Sequence, residues 1–363
     1  MILSRTPLRI SFVGGGTDIP NFYQRYGGEV ISTAIDKYIS VRIAKRRNSQ
    51  ITINTPDHHE TVYSPDQIQH PLIREAVRKT DVSGGVSITV TSDIPSRGCG
   101  LGSSSALTVG LLNALYAYQG VEMPPETLAQ QACEIEIDRL NQPIGKQDQY
   151  IAAYGGLRRI QFNKDESVHT QKIAVTPETI ARLEESFILF YTGIQRRAET
   201  ILHKQKRSAS PQTLLQIKGL VPEFYDILVK GNHHKGCPYK NDNHEGCLSE
   251  VGHLLHRAWE LKRSLCDSIS NPILDTIYER AIAAGALGGK ILGAGGGGYF
   301  LFYVPTERQG AVTAVLSDLG LSRLAFHFEQ KGSQIIEERN LDESHYPYRR
   351  ERHTTQTPHL HLP

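Results

Sequence analysis

Gly98, Gly100 and Gly102 occupy every second position of "PSRGCGLGSSSA", and Ser103, Ser104 and Ser105 follow them directly. A segment so poor in side chains lets backbone N–H groups come close to a ligand. Behind it, Leu107, Leu111, Ala114 and Leu115 recur at three- and four-residue spacing, which predicts an amphipathic helix starting near Ser104. In front of it, "VSITVT" alternates Val86, Ile88 and Val90 with polar residues and predicts a strand. The amides of a helix's first turn lack intrahelical partners and carry the positive end of the macrodipole, so this loop suits an anion. An ordinary serine cap needs one serine and none of the glycines. No Lys follows Gly102, where a Walker A loop has one, which disfavours a P-loop NTPase.

Three further places could carry charge chemistry. In "ETLAQQACEIEIDRL", Leu128, Ala132, Ile135 and Leu140 form one helical stripe; Glu136 falls inside it, while Glu134 and Asp138 point away. A carboxylate so placed needs either a basic neighbour or a metal ion. "GKQDQY" sets Asp148 beside Lys146, Gln147 and Gln149 in a turn bounded by Pro143, Gly145 and Gly155, which is either a reactive cluster or a plain loop. "RTPLRISFVGGGTD" alternates Leu8, Ile10 and Phe12 against Arg9, Ser11 and Val13, then breaks into Gly14, Gly15, Gly16, Thr17 and Asp18. Arg9, on the face opposite Leu8 and Ile10, is either a structural ion-pair partner or a cation aimed into a site. Near the other end, Gly293, Gly295 and Gly298 match Gly-x-Gly-x-x-Gly, but the β-prone run Tyr299 to Val304 follows where a dinucleotide-binding motif needs a helix.

The elements that must position these residues fit in 363 residues, enough for two domains, with 39% hydrophobic and 21% charged residues. Forty Lys and Arg against 38 Asp and Glu give a net charge of +2, no field for gripping nucleic acid, and "AKRRN" reads as a solvated strand end. The chain opens at Met1 without a charged segment followed by an apolar one, and no stretch approaches ~18 apolar residues; the expectation is a cytoplasmic protein with no membrane partner. Five scattered cysteines predict reduced thiols. Residues 231–247 break the helical pattern as an inserted polar loop. Its His233, His234, Cys237, His244 and Cys247 match no standard zinc spacing. Residues 346–363 read as a loose tail.

Taken together, "RISFVGGGTD", "PSRGCGLGSSSA", "GKQDQ" and "GAGGGG" occur in the order and rough spacing of the motifs of the GHMP small-molecule kinases, which the chain resembles over about residues 1 to 345. Within that family "GLGSSSALTVGLLNAL", "GKQDQYIAAYGGL", "WELKRSL" and "GALGGKILGAGGGG" are similar to the branch that phosphorylates a heptose phosphate. The resemblance implies an α+β fold of two domains. The first is an N-terminal α/β, ribosomal-protein-like, ATP-binding domain over 1–175. A ferredoxin-like C-terminal domain over 176–345 follows, with the active site in the cleft. It further implies ATP and Mg²⁺ as cofactors, and transfer of the γ-phosphate to the anomeric hydroxyl of a heptose 7-phosphate, giving the 1,7-bisphosphate. By the same resemblance, Pro95, Gly98, Gly100, Leu101, Gly102, Ser103, Ser104 and Ser105 wrap the nucleotide phosphates, and Ser104 and Glu136 hold Mg²⁺. Asp148 is the catalytic aspartate and Arg9 its cationic partner. Asp18, with Gly15, Gly16 and Thr17, meets the sugar hydroxyls, and the loop with Gly295 and Gly296 closes over the site. Lys262, Arg263 and Arg196 are available for the sugar's own phosphate, although each also reads as a solvated charge on a helix face. Two alternatives stay open: a sugar 1-kinase for an unphosphorylated, fucose- or galactose-like sugar, and a non-catalytic sensor of ATP and sugar. A homodimer is also left open.

Overall fold

In the computed structural model the described residues are 1–95, 98–195, 198–230 and 245–336. The strands are β1 (Ile2–Val13), β2 (Gly28–Lys45), β3 (Ile51–Thr55), β4 (His58–Val62), β5 (Val86–Ser92), β6 (Leu157–Phe162), β7 (Val168–Lys172), β8 (Phe187–Tyr191), β9 (Gly288–Ile291), β10 (Tyr299–Tyr303), β11 (Ser322–Leu324) and β12 (Gln334–Ile336). The α-helices are α1 (Pro20–Tyr26), α2 (Pro71–Lys79), α3 (Ser103–Tyr118), α4 (Pro125–Cys133), α5 (Gln147–Tyr154), α6 (Pro177–Ser186), α7 (Ala198–Ser208), α8 (Pro211–Lys230), α9 (Glu245–Arg263), α10 (Pro272–Ala283) and α11 (Gln309–Asp318).

Two sheets organise these elements. The first runs β12-β1-β2-β5-β3-β4, with β6 paired to the far part of the long β2 and β7 to β6. At its centre β2 pairs with β1, β5 and β6, and β1 runs antiparallel to it in a register broken by irregularities between Pro7 and Leu8 and between Ser11 and Val13. Sequence alternation predicts one buried face for β1, and the structure overturns this. Every residue from Thr6 to Val13 is buried, because α3, α5 and α8 pack against the strand in addition to its sheet neighbours. Arg9 and Ser11 are therefore interior polar residues, which is costly unless a partner or ligand meets them.

The second sheet has the order β11-β8-β10-β9, all pairs antiparallel. Numbered along the chain, those strands stand 4-1-3-2, with helices between the first and second and between the third and fourth. That is the split β-α-β arrangement of a ferredoxin-like domain, as the resemblance implies. The 176–345 segment does not stay there, however: β12 returns to the first sheet and pairs with β1 through Leu3, Ser4 and Arg5. The zinc residues His233, His234, Cys237 and His244, the side chain of Cys247, and the 346–363 tail lie outside the described residues.

Aromatic packing joins the halves. Phe12 on β1 stacks on Phe187 of β8 at 5.2 Å and on Phe224 of α8 at 5.3 Å between ring centroids. Offset aromatic pairs of this kind add about 0.5–1.5 kcal/mol beyond area burial. A second cluster around Trp259, Tyr278, Phe300 and Phe302 fills the space between the second sheet and its helices. Among the described residues no helix is long and apolar enough to cross a membrane.

Candidate active site

The glycine-rich loop ends where α3 begins. Gly98, Gly100 and Gly102 all take left-handed backbone angles, with φ of +74°, +79° and +77°. Only glycine does this without strain, and the alternation keeps the chain bent around a concave backbone surface. Gly102 is the N-cap of α3 and has no side chain to cap it; the first helical bond runs from the Ala106 amide to the Gly102 carbonyl. An anion docked here would meet the amides of Ser103, Ser104 and Ser105 at the positive end of a sixteen-residue helix. Leu101 and Ser105 are buried, whereas Ser104 is exposed. Pro95 stands exposed at the far end of the loop, its carbonyl accepting from the Cys99 thiol.

Arg9 ties this loop to Asp148. Its backbone N–H donates to the Leu101 carbonyl at 3.0 Å and its Nη1 to the Gly100 carbonyl at 2.6 Å. Nε and Nη2 donate to Oδ1 and Oδ2 of Asp148, both at 2.7 Å, a bidentate pair. Arg9 is 5% exposed at the side chain and Asp148 23%, so the carboxylate is the member that faces open space. Gly102 lies against both: a Cβ there would stand 3.2 Å from Arg9 Cγ and 3.3 Å from Asp148 Oδ2. Of the two readings open for Arg9 from sequence, the ion pair is observed, and the same side chain also lines a cavity.

Asp18 links the opening turn to the start of α5. Its Oδ1 accepts from the Gly16 amide at 3.0 Å and its Oδ2 from the Gln147 amide at 3.3 Å, while its carbonyl accepts from the Lys146 amide. Burial and the nearby Asp148 charge push its carboxyl above the usual range. Thr17 does not face the same space. Its hydroxyl donates to the Gly14 and Glu29 carbonyls and accepts from the Glu29 amide, so it holds the turn instead of meeting a ligand. Arg9, Asp18 and Asp148 line one cavity, together with Gly15, Gly16 and, from the other half of the chain, Lys262 and Lys290.

Glu136 lies beneath the start of α3 and is fully buried. It is reached by a π-helical turn, Glu134–Arg139, that continues α4, not by the regular α-helix expected from the stripe. Such π segments recur at functional sites because they re-aim a side chain. Glu134 and Asp138 point outward as expected, Glu134 pairing with Lys79 and Arg139. The Glu136 carboxylate accepts from Ser104 Oγ at 2.7 Å and from Gln149 Nε2 at 2.7 Å. Burial, with a smaller contribution from the Asp148 charge, raises its carboxyl to about 7, against the pull of bonds from Ser104, Ser105 and Gln149. Gln149 is itself fully buried, and its Oε1 has no hydrogen-bond partner. The Glu136 carboxylate beside the Ser104 hydroxyl makes an oxygen donor pair of the kind a hard divalent ion takes, and the group that Gln149 turns to the carboxylate is its NH2.

Several expected residues lie elsewhere. Arg263 is turned outward, pairing with Glu260 and Asp275, which removes it from the cavity. Arg196 lies outside the described residues. Lys262 does line the cavity, but its ammonium donates to the Ile291 and Gly293 carbonyls at 2.7 and 2.6 Å. Gly295 and Gly296 pack on Ile269 and on Ile201 and the Ser268 carbonyl. Their loop closes on the glycine-rich loop, where Gly293 abuts Gly100, Gly298 abuts Cys99 and the Tyr299 amide donates to the Cys99 carbonyl at 3.1 Å, and its Gly293 and Ala294 line the cavity. Conversely, Gln205 and Lys290 are buried polar residues that sequence reading passes over, and Gln149, named there only as a neighbour of Asp148, is fully buried against Glu136. Lys290 sits in a four-residue strand that is buried throughout, and only its charge in that run could have marked it.

Two family models match this chain, the GHMP kinases N-terminal domain over residues 70–156 and the GHMP kinases C-terminal domain over 242–320. The D-glycero-alpha-D-manno-heptose 7-phosphate kinase of Campylobacter jejuni is 29% identical over 346 residues, covering 91% of this chain and 97% of the relative. A bifunctional fucokinase/GDP-fucose pyrophosphorylase of Arabidopsis thaliana is 26% identical over 81% of this chain and 29% of that longer protein. The crystal structure of a D-glycero-D-manno-heptose 1-phosphate kinase from Bacteroides thetaiotaomicron superposes with a TM-score of 0.76 at 24% identity, covering 94% of this chain and all of that one.

Proposed function

For a chain that belongs to the GHMP kinases, and so is an ATP-dependent phosphotransferase, we propose that the acceptor is a sugar phosphate and the reaction the phosphorylation of the anomeric hydroxyl of a heptose 7-phosphate. The products are the 1,7-bisphosphate and ADP. The bidentate pair of Arg9 and Asp148, pressed against the end of the glycine-rich loop and opening on the cavity, is the observation that carries this reading.

Phosphoryl transfer rests chiefly on positioning and on neutralising the charge of the transferring group. In this reading the loop from Gly98 to Ser105 cradles the nucleotide phosphates with backbone donors, and Arg9 spans the loop and Asp148. Each Asp148 oxygen accepts one bond from Arg9 and keeps a lone pair for the acceptor hydroxyl. That carboxylate orients the anomeric O–H toward the γ-phosphorus and takes its proton as the O–P bond forms and the bond to the ADP oxygen breaks. Asp18, fixed by two backbone amides, offers the sugar ring a rigid acceptor. Ser104 and Glu136 would hold Mg²⁺, with Gln149 beside them; that ion, when bound, neutralises charge on the nucleotide phosphates. Both members of the Arg9–Asp148 pair are present, which is why turnover is favoured over a sensor.

The test is an ADP-coupled assay with D-glycero-D-manno-heptose 7-phosphate, the same heptose unphosphorylated, L-fucose and D-galactose, followed by phosphorus NMR of the product. Turnover of the phosphorylated heptose well above the others, with the new phosphorus coupled to the anomeric proton, is expected. Equal or faster turnover of fucose or galactose would replace this reading with the free-sugar kinase.

A further inference from the structure

Lys290, on β9, is 5% exposed, and its ammonium donates to one acceptor, the Phe12 carbonyl of β1, at 2.7 Å. Among the described residues no carboxylate pairs with it. Its nearest charged neighbour is another cation, Arg9, and burial together with that neighbour lowers its pKa to about 7. A lysine stripped of water with two of its three N–H donors unspent is an expensive residue to keep. Next to its carbonyl partner stands Ser11, 5% exposed, whose hydroxyl has no hydrogen-bond partner at all. Both line the cavity that holds Arg9, Asp18 and Asp148.

These two groups lack what an anion supplies. The other charges of the cavity are already committed: Arg9 and Asp148 to each other, Asp18 to two amides, Lys262 to two carbonyls. Among the described residues none of the loop from Gly98 to Ser105 lines this space, although Gly102 lies against Arg9 and Asp148 at its edge. We propose that Lys290 and Ser11 form the receptor for the phosphate group carried by the acceptor sugar, taking the role that sequence reading offered to Lys262, Arg263 and Arg196. The lysine gives a charge-assisted bond, the serine a neutral one, and the phosphate's other oxygens stay free for the remaining cavity donors. This inference rests on the reading of the acceptor as a sugar phosphate and makes the residues for it specific.

The experiment compares wild type, Lys290→Met, Lys290→Arg and Ser11→Ala at saturating ATP, with the heptose 7-phosphate and the unphosphorylated heptose as acceptors. In Lys290→Met, kcat/KM for the phosphorylated acceptor should fall about 10- to 100-fold, mostly through KM, and several-fold more than for the free sugar. Ser11→Ala should fall less in the same sense, and Lys290→Arg should recover part of the loss. Thermal melting reports folding, and the Met variant should melt no lower than wild type because an unpaired buried charge is gone. An equal loss on both acceptors carried by kcat would assign Lys290 to the transferring phosphoryl group and end the proposal, as would a lowered melting temperature with both activities lost together. A wild type that ignores phosphorylated heptose would sink the substrate reading by itself. The receptor is then decided by calorimetry with inorganic phosphate on enzyme loaded with a non-hydrolysable ATP analogue. Binding to wild type that disappears in Lys290→Met sustains it, and equal binding or none removes it.

Discussion

In the proposed reaction Asp148 takes the proton, and its two bonds from Arg9 make its substitution informative. Asp148→Asn preserves shape and one oxygen but removes the charge and the ability to take a proton. The expected result is a loss of about 10² to 10⁴ in kcat, with nucleotide affinity close to wild type, measured by steady-state kinetics beside equilibrium binding of ATP. A variant with nearly full turnover would show that the carboxylate is not the proton acceptor. Residues of this kind were legible in the sequence because type and context agree: an aspartate beside two glutamines in a glycine-bounded turn, a glutamate on an apolar stripe. Lys290 was not, because a lone lysine among glycines is ordinary and becomes unusual only when it is buried against β1 from the other half of the chain. Arg263 shows the opposite error. Its helix position admitted either direction, and the nearby Glu260 and Asp275 carboxylates draw it outward.

At the scale of elements, the site depends on turns that admit no side chain. Gly145 precedes α5 and faces Asp18; a Cβ there would stand 2.0 Å from Asp18 Oδ2. Gly145→Ala must therefore displace the aspartate or the start of α5, and the geometry on which Asp148 also depends moves with it. Misplacement by about 1 Å costs on the order of 10²-fold in such sites, so kcat/KM for the acceptor should drop by about that factor. Gly120→Ala is the control. It carries φ of +78° with nothing within 4 Å of a Cβ, so it should lose about 1 kcal/mol of stability and leave kinetics as they are. Similar kinetic losses in both variants would mean that Gly145 acts through general backbone strain. The helix behind the glycine loop was legible in place but not in character, since every residue from Thr108 to Leu115 is buried and the expected amphipathic face is absent, whereas the strand before the loop could be read from its alternation. The π turn at Glu134–Arg139, the two-sided burial of β1 and the return of β12 to the first sheet could not. Each is settled by packing partners distant in the chain, and a six-residue π segment leaves no mark in a 3.6-residue pattern.

Glu136 and Lys290 are buried groups of opposite charge whose pKa values are both displaced toward 7, and their effects on folding have opposite slopes with pH. Glu136 is raised to about 7, so between its ordinary range and 7 the native state binds more protons than the unfolded chain, and stability falls as pH rises. Lys290 is lowered to about 7, so from 7 to about 10.5 the unfolded chain binds more protons than the native state, and stability rises with pH. Each group can impose a slope of up to ~1.4 kcal/mol per pH unit inside its window. The ligand-free enzyme should therefore have a trough of stability near neutral pH, which denaturant titrations from pH 5 to 10 would trace. Glu136→Gln should reduce the slope on the acid side, where Asp18, also raised by burial, contributes in the same sense, and Lys290→Met should flatten the alkaline side. The trough should also fill when both ligands bind, since a cation with the nucleotide answers Glu136 and an anionic acceptor answers Lys290. A profile that rises or falls steadily through neutrality, unmoved by either substitution, would mean that neither group bears the charge cost that its burial implies. With the trough present, the same two costs that weaken the empty enzyme become differential affinity for its substrates, because only the loaded cleft relieves them.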